Sequence, residues 1–112
     1  MPGAYAPPGG RLALAWVGRE PAGCAALRPA DEGKAEAKRL YVRPKFRRLG
    51  LGRALMEWVI GEARSAGCRE LVSDTLPIMR YAIAMYDRMG FNRVEGSTPQ
   101  GAPDAILIRL KL

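Results

Sequence analysis

A nine-residue stretch, "RRLGLGRAL" at positions 47–55, contains three arginines and two glycines. Guanidinium groups bind phosphate and carboxylate oxygens through paired N–H donors. Gly50 and Gly52 permit positive φ angles and let an anion approach the main chain with no Cβ in the way. Arg43 and Lys45, just upstream, add positive charge. The stretch predicts a phosphate site, and a solvated basic helix cap is the alternative on local physics alone.

The element that must position this stretch is a helix. Leu51, Leu55, Val59 and Ala63 recur at intervals of four residues and predict one apolar helical face, which ends at Gly67. A helix N-terminus carries unpaired N–H groups and a partial positive charge, so it attracts anions. The chain contains no Walker loop, and a bulky leucine stands where a dinucleotide fingerprint needs a small residue.

Composition limits the possible functions. The 112 residues are enough for one domain, and 18 Lys and Arg against 11 Asp and Glu give a formal charge of +7. This balance favours anionic partners such as phosphorylated cofactors, nucleic acid or acidic surfaces. No long apolar run indicates a membrane span, and the opening "MPGAYAPPGG" does not resemble a signal peptide. We therefore expect a cytoplasmic protein.

The chain has no histidine, which excludes Ser-His and Cys-His nucleophiles and histidine-ligated metals. Cys24 and Cys68 lack the spacing of a zinc or redox motif, so no metal site is expected. Any chemistry must use carboxylates, tyrosines or main-chain groups.

The residues upstream of the basic stretch predict three strands in a meander. "RLALAWV" (11–17) and "AGCAAL" (22–27) flank the turn-forming "GREP", which is typical of a β-hairpin. A second turn leads into "AEAKRLYV" (35–42). Pro44 ends that strand because proline cannot donate to a ladder.

Downstream of the first helix, we predict a strand at 71–76 and a helix from Pro77 to Gly90. A further strand begins at 91, and the last covers 105–112. The turn-rich "EGSTPQGAPD" separates these two strands. The predicted buried face of that helix consists of Ile78, Ala82, Met85 and Met89. The order β-β-β-α-β-α-β-β predicts an α+β fold, in which a mixed α/β sheet packs against its helices. Residues 1–10 are predicted to be a tail and 11–112 a single domain.

Two motifs in this order resemble the Gcn5-related N-acetyltransferase (GNAT) family. The family's pyrophosphate-binding pattern, Gln or Arg, two residues, Gly, one residue, Gly or Ala, stands here as "RRLGLG", with Arg47, Gly50 and Gly52 in the matching places. The signature Tyr-x-x-x-Gly-Phe stands as "YDRMGF", beginning at Tyr86. "KRLYVRPKF" occupies the place of the family's fourth strand, so the resemblance extends from about residue 11 to the C-terminus.

The resemblance implies a GNAT-like acyl-CoA N-acyltransferase fold and acetyl-CoA as co-substrate, with no metal. It also implies that the thioester and pantetheine lie along the strand before the loop, where an N–H of Leu40 or Val42 would stabilise an oxyanion. The cofactor-binding residues implied are Leu40, Tyr41, Val42, Arg47, Arg48, Leu49, Gly50, Leu51, Gly52 and Arg53.

One catalytic role follows from the resemblance. Tyr86, in the motif position, would protonate the leaving thiolate, whereas Tyr41 and Tyr81 lie outside that position. The alternative for Tyr86 is structural, with its ring in the core and its hydroxyl at the rim. Trp16 and Trp58 are predicted to be core residues.

Deprotonation of the attacking amine requires a base. Glu36 or Asp74, acting through water, is the natural choice in a chain without histidine. Strand alternation predicts that Glu36 shares a face with Lys38, Leu40 and Val42. An ordinary surface glutamate is the alternative.

The sequence departs from the family at its N-terminus. Members normally begin with a strand and two helices ahead of the first hairpin, whereas ten residues precede Arg11 here. We therefore expect sheet surface and a strand edge to be covered in a homodimer, with residues 1–10 and 105–112 near the interface.

The predicted function is transfer of an acetyl group from acetyl-CoA to a primary amine of a small molecule or peptide, by direct attack in a ternary complex. The alternative is a truncated module that binds CoA without efficient catalysis. A nucleic-acid partner is disfavoured, because no aromatic platform is interleaved with the positive charge.

Overall fold

The computed structural model describes residues 11–30, 32–76, 79–94 and 105–112. Within them the elements follow the predicted order β-β-β-α-β-α-β-β, which is confirmed. They are β1 (Arg11–Val17), β2 (Glu20–Pro29), β3 (Lys34–Val42), a short 3-10 helix (Pro44–Phe46), α1 (Leu51–Ser65), β4 (Glu70–Thr75), α2 (Arg80–Arg88), β5 (Asn92–Arg93) and β6 (Ile106–Lys111).

The strands form one mixed sheet in the order β1-β2-β3-β4-β6-β5. Neighbouring strands are antiparallel except β3 and β4, which are parallel. A parallel pair needs a crossover connection, and α1 supplies it. The predicted α+β fold with a mixed α/β sheet is therefore confirmed, and the start of α1 follows directly on the end of β3.

Both helices contribute to a single hydrophobic core on one face of the sheet. The largest fully buried side chains are Leu27, Met56, Val59 and Leu71. Burial of such a side chain stabilises a fold by about 1.5–3 kcal/mol. Alanines on the two strands beneath α1 let the helix approach the sheet closely: Ala25, Ala35 and Ala37.

The second helix differs from its prediction in start and orientation. It begins at Arg80, and its most buried residue is Tyr86, whereas Ala82, Met85 and Met89 are half-buried against the core. The predicted start at Pro77 and the predicted core residue Ile78 lie outside the described residues, as do the tail 1–10 and the turn-rich segment 95–104.

The opposite face of the sheet carries exposed apolar side chains on β1. Leu12, Leu14 and Trp16 are 51%, 59% and 56% exposed. The prediction that Trp16 is a core residue is wrong, because alternation along β1 directs the even-numbered residues away from the helices. Trp58 on α1 packs against the core, as predicted.

A β-bulge interrupts β3 and changes which of its residues face the helices. Between the pairs Cys24–Tyr41 and Ala26–Lys38, β2 contributes one residue and β3 contributes two. Arg39, within the bulge, has a φ of +55°, a conformation uncommon outside glycine. An extra residue of this kind reverses the alternation of the strand beyond it.

Candidate functional site

The N-terminus of α1 has no side-chain cap. Gly50 is the N-cap residue in the left-handed conformation, with φ +80° and ψ +9°, and the first turn contains no acidic residue. The first N–H groups of a helix have no partner within it, so those of Leu51, Gly52 and Arg53 face outward unpaired by the helix. A terminus of this kind is suited to an anion, and the anion site that the sequence predicts here stays a prediction.

The missing side chain of Gly52 keeps this terminus open. A Cβ built there would lie 3.9 Å from both Val42 Cγ2 and Met85 Sδ, which is ordinary van der Waals contact. The first turn of α1 therefore lies between the end of β3 and α2. Packing among the described residues therefore does not require glycine at position 52. The close approach of a ligand to the main chain would explain why glycine stands there.

The arginines of the loop serve different purposes. Arg48 lies over the ring of Tyr81 on α2, with 5.8 Å from Cζ to the ring centroid, and its φ is +69°. Arg47 donates from Nε to the carbonyl of Val42 at 3.0 Å and lies over the Tyr41 ring at 5.7 Å. Arg47 thus ties the loop to the strand, while Arg48 bridges the loop and α2.

The remaining cations near the loop are paired. Arg53 pairs with Glu57 one turn along α1, at 3.8 Å. Arg43 donates to the carbonyl of Pro21 at 2.8 Å, and Lys45 pairs with Glu20 at 2.9 Å. A hydrogen bond from Lys45 and its charge lower the pKa of Glu20.

The parallel strands β3 and β4 stop pairing several residues before β3 reaches the α1 terminus. Their pairing runs from Lys34–Glu70 to Glu36–Val72 and stops there, although β3 continues to Val42 and β4 to Thr75. Just beyond this pairing, the Ser73 hydroxyl donates a hydrogen bond to the carbonyl of Ala37, at 3.1 Å. Beyond it, β3 offers main-chain groups to a gap between the strands.

Of the residues predicted on this strand, Leu40 and Val42 pack against the core and Tyr41 is half-exposed. Leu49, in the loop, is 61% exposed. The main chain of the strand lies beside the gap, so the strand and the first turn of α1 together border one site.

Tyr86, on α2, is buried in the core on the helix side of the sheet. Its ring is 5% exposed and lies 5.5 Å from the Phe91 ring, centroid to centroid. Burial, with a smaller contribution from the Asp74 carboxylate, raises the pKa of Tyr86 to about 12. The phenol is therefore protonated at neutral pH, and it forms no hydrogen bond with another described residue.

The carboxylates predicted as bases lie on the face opposite the helices. The prediction that Glu36 and Lys38 share a face with Leu40 and Val42 is wrong, because the bulge at Arg39 lies between them. Glu36 pairs with Val72 across the sheet, and its side chain is half-buried.

Two cations hold these carboxylates in a network that the sequence did not predict. Arg28 donates from Nη2 to both oxygens of Glu36 at 3.3 Å. Lys38 Nζ lies 3.5 Å from Glu36 Oε2 and 3.6 Å from Asp74 Oδ1. The Arg28–Glu36 and Lys38–Asp74 contacts cross between strands, so sequence spacing gave no signal for them. The shared face of Glu36 and Lys38 follows from the predicted strand alternation.

The described residues contain no group of three or more potential metal ligands. In the part of the chain that the structure describes, neither helix has the length and apolarity to cross a membrane.

Comparisons with known proteins agree with this geometry. The model of the acetyltransferase (GNAT) family matches residues 3–91. An uncharacterised N-acetyltransferase of Schizosaccharomyces pombe is 34% identical over 110 residues, which cover 96% of this chain and 68% of that protein. The ribosomal protein bS18-alanine N-acetyltransferase of Salmonella typhimurium is 38% identical over 78 residues, covering 65% of this chain and 53% of that protein.

Solved structures show the same fold. A GNAT family acetyltransferase from Elizabethkingia anophelis with acetyl-CoA bound has a TM-score of 0.78 and 27% identity, covering 92% of this chain and 76% of that one. The chain spans about half to three quarters of the length of these relatives. The family match over most of the chain, together with the open helix terminus at the strand gap, establishes that this protein belongs to the acetyltransferase (GNAT) family.

Proposed function

We propose that the protein transfers the acetyl group of acetyl-CoA to a primary amine of a small molecule or peptide, by direct attack in a ternary complex. The observation that carries this proposal is the position of the uncapped α1 terminus beside Val42, at the far end of the part of β3 that no longer pairs with β4. The uncapped terminus suits the pyrophosphate of acetyl-CoA, and the gap between the strands suits its narrow thioester arm.

The chain's own groups fit such a ligand. The N–H groups of Leu51, Gly52 and Arg53 bind the pyrophosphate, with the loop residues Arg48 and Leu49 beside them. The main chain of Leu40, Tyr41 and Val42 lines the arm. When bound, acetyl-CoA supplies an activated acetyl thioester.

Proton transfers fall to groups on either side of the gap. Glu36 or Asp74 accepts the proton of the amine through water as the C–N bond forms. Tyr86 donates a proton to the sulfur as the C–S bond breaks. With a pKa of about 12, Tyr86 is protonated at neutral pH and is therefore available as the proton donor.

We propose further that residues 11–112 act as one domain that pairs with a second copy through β1. This strand is an edge of the sheet. An antiparallel pair centred on Leu14 sets Leu14 against its copy and Leu12 against Trp16, which joins three exposed apolar side chains from each chain. β6 is a weaker choice because β4 and β5 flank it.

A CoA-binding module without efficient catalysis is the competing function. Incubation with acetyl-CoA and a panel of amines, with free thiol detected as it forms, separates the two. An enzyme releases thiol only when an amine is present, whereas a binding module shows calorimetric affinity and no release. Glu36→Gln and Asp74→Asn identify the base, since the variant that lacks it loses turnover and retains cofactor affinity.

A further inference from the structure

Four charged side chains form a row on the sheet face opposite the helices. Arg28 lies on β2, Glu36 and Lys38 on β3, and Asp74 on β4, with ion pairs between successive members. They line a cavity of about 400 Å³ together with Val72, Ser73 and Leu107. Sites for small molecules have volumes of this order.

The signs of these charges limit what the cavity can hold. Two cations alternate with two anions, so a ligand with several charges of one sign would meet like charges at every second position. A ligand with one positive and one negative group meets an opposite charge at each end. Val72 and Leu107 supply an apolar surface for an aliphatic chain.

Arg28 has unused capacity for an anion. Its contacts with Glu36 both involve Nη2, and its Nη1 and Nε have no partner among the described residues. The guanidinium fork matches the geometry of a carboxylate. Its side chain is 40% exposed, so a ligand can reach it.

Asp74 marks the opposite end of the row. It lies two residues beyond Val72, where the pairing of β3 and β4 ends, so it stands at the gap between the strands. Its charge also contributes to the raised pKa of Tyr86, which is buried on the helix side. The gap between β3 and β4 therefore connects this end of the cavity with the site of acetyl transfer. An amine held beside Asp74 lies where an acceptor is needed.

We propose that the acceptor is an aliphatic amine that carries a carboxylate, with its amine beside Asp74 and its carboxylate on Arg28. This inference rests on the proposed acetyl transfer. Arg28 stands two strand spacings from Val72, and Asp74 lies two residues further along β4, so the main chains at Arg28 and Asp74 are roughly 12 Å apart. Because their side chains shorten that span, the favoured acceptor is an unbranched ω-amino acid of about four to six carbons.

The test compares ω-amino acids from glycine to 6-aminohexanoate with alkylamines of the same carbon number. The acid is expected to exceed its alkylamine in kcat/KM by roughly tenfold or more at the favoured lengths, as one charge-assisted contact allows. Arg28→Gln abolishes this ratio and Arg28→Lys restores part of it. Arg64→Gln, an exposed change on α1, leaves it intact. Because the ratio compares two acceptors on one variant, a general loss of turnover cancels.

Calorimetric titration of 5-aminopentanoate into the protein–CoA complex separates the two proposals. Equal kcat/KM for acid and alkylamine, or a preference that survives in Arg28→Gln, overturns the acceptor assignment and leaves acetyl transfer standing. Binding that depends on Arg28, without acetyl transfer, supports the cavity as a site for the amino acid and overturns the proposed acetyltransferase activity. Absence of both binding and transfer overturns both.

Discussion

The Ser73 hydroxyl donates a hydrogen bond to the main-chain carbonyl of Ala37, with 3.1 Å between the oxygens, where β3 and β4 cease to pair. Ser73 is 8% exposed, so water does not replace this bond freely. One side chain thus closes the paired part of the strands and sets where the gap begins.

Ser73→Ala is expected to lower the free energy of unfolding by about 1–2 kcal/mol, because it leaves a buried carbonyl without its donor. Urea denaturation measures the loss. Ser65→Ala, at the exposed end of α1, is the control and should leave stability unchanged or slightly higher. Equal stabilities of the two variants would show that the bond has no structural role.

Gly52→Val is expected to abolish measurable acetyl-CoA binding, because the added methyl groups occupy the space beside the first N–H groups of α1. Gly61→Val is matched to it: it lies in the same helix, and a Cβ there meets open space. Calorimetry should find wild-type affinity for Gly61→Val and similar unfolding free energies for both variants. Unchanged affinity in Gly52→Val would falsify the assignment of the α1 terminus as the pyrophosphate site.

Tyr86→Phe removes only the hydroxyl and preserves the packing against Phe91. If Tyr86 protonates the leaving thiolate, kcat should fall by about 10²- to 10⁴-fold with acetyl-CoA affinity nearly unchanged. Steady-state kinetics and calorimetry on the same preparation make the comparison. Wild-type turnover in this variant would assign Tyr86 a structural role alone.

The raised pKa of Tyr86 predicts a loss of stability in alkali. The folded protein holds the phenol proton up to about pH 12, whereas the unfolded chain releases it near the ordinary value of 10.0. Stability from the neutral phenol is therefore present below pH 10 and is lost as the pH rises towards 12. Between about pH 9 and pH 11, the wild type should lose roughly 1 kcal/mol more than Tyr86→Phe. Parallel losses in urea titrations at both pH values would contradict the assignment.

Pairing through β1 predicts a dimer that a charge at its centre disrupts. Light scattering should give twice the chain mass at micromolar concentration, and Leu14→Lys should give a monomer because two ammonium groups would face each other. Leu49→Lys is the control, since Leu49 is as exposed as Leu14 (61% and 59%) and lies outside β1. A monomeric wild type contradicts the interface.

The sequence by itself determined the elements and the open, glycine-containing start of α1, because both depend on local chemistry. Apolar residues four apart fix the buried face of α1 wherever the helix packs. Gly50 and Gly52 act through their own main chain, so their position at the helix start could be predicted from spacing. The family motif that begins at Tyr86 could likewise be recognised from the sequence, because it spans only six consecutive residues.

Tertiary structure alone decided which groups meet across the sheet. The bulge at Arg39 reversed the alternation of β3 and separated Glu36 from Leu40, since one extra residue moves all later side chains to the opposite face. Arg28 reaches Glu36, and Asp74 reaches Lys38, only because strand order brings β2 and β4 to either side of β3. Such contacts depend on register between distant segments, which no pattern within a single segment encodes.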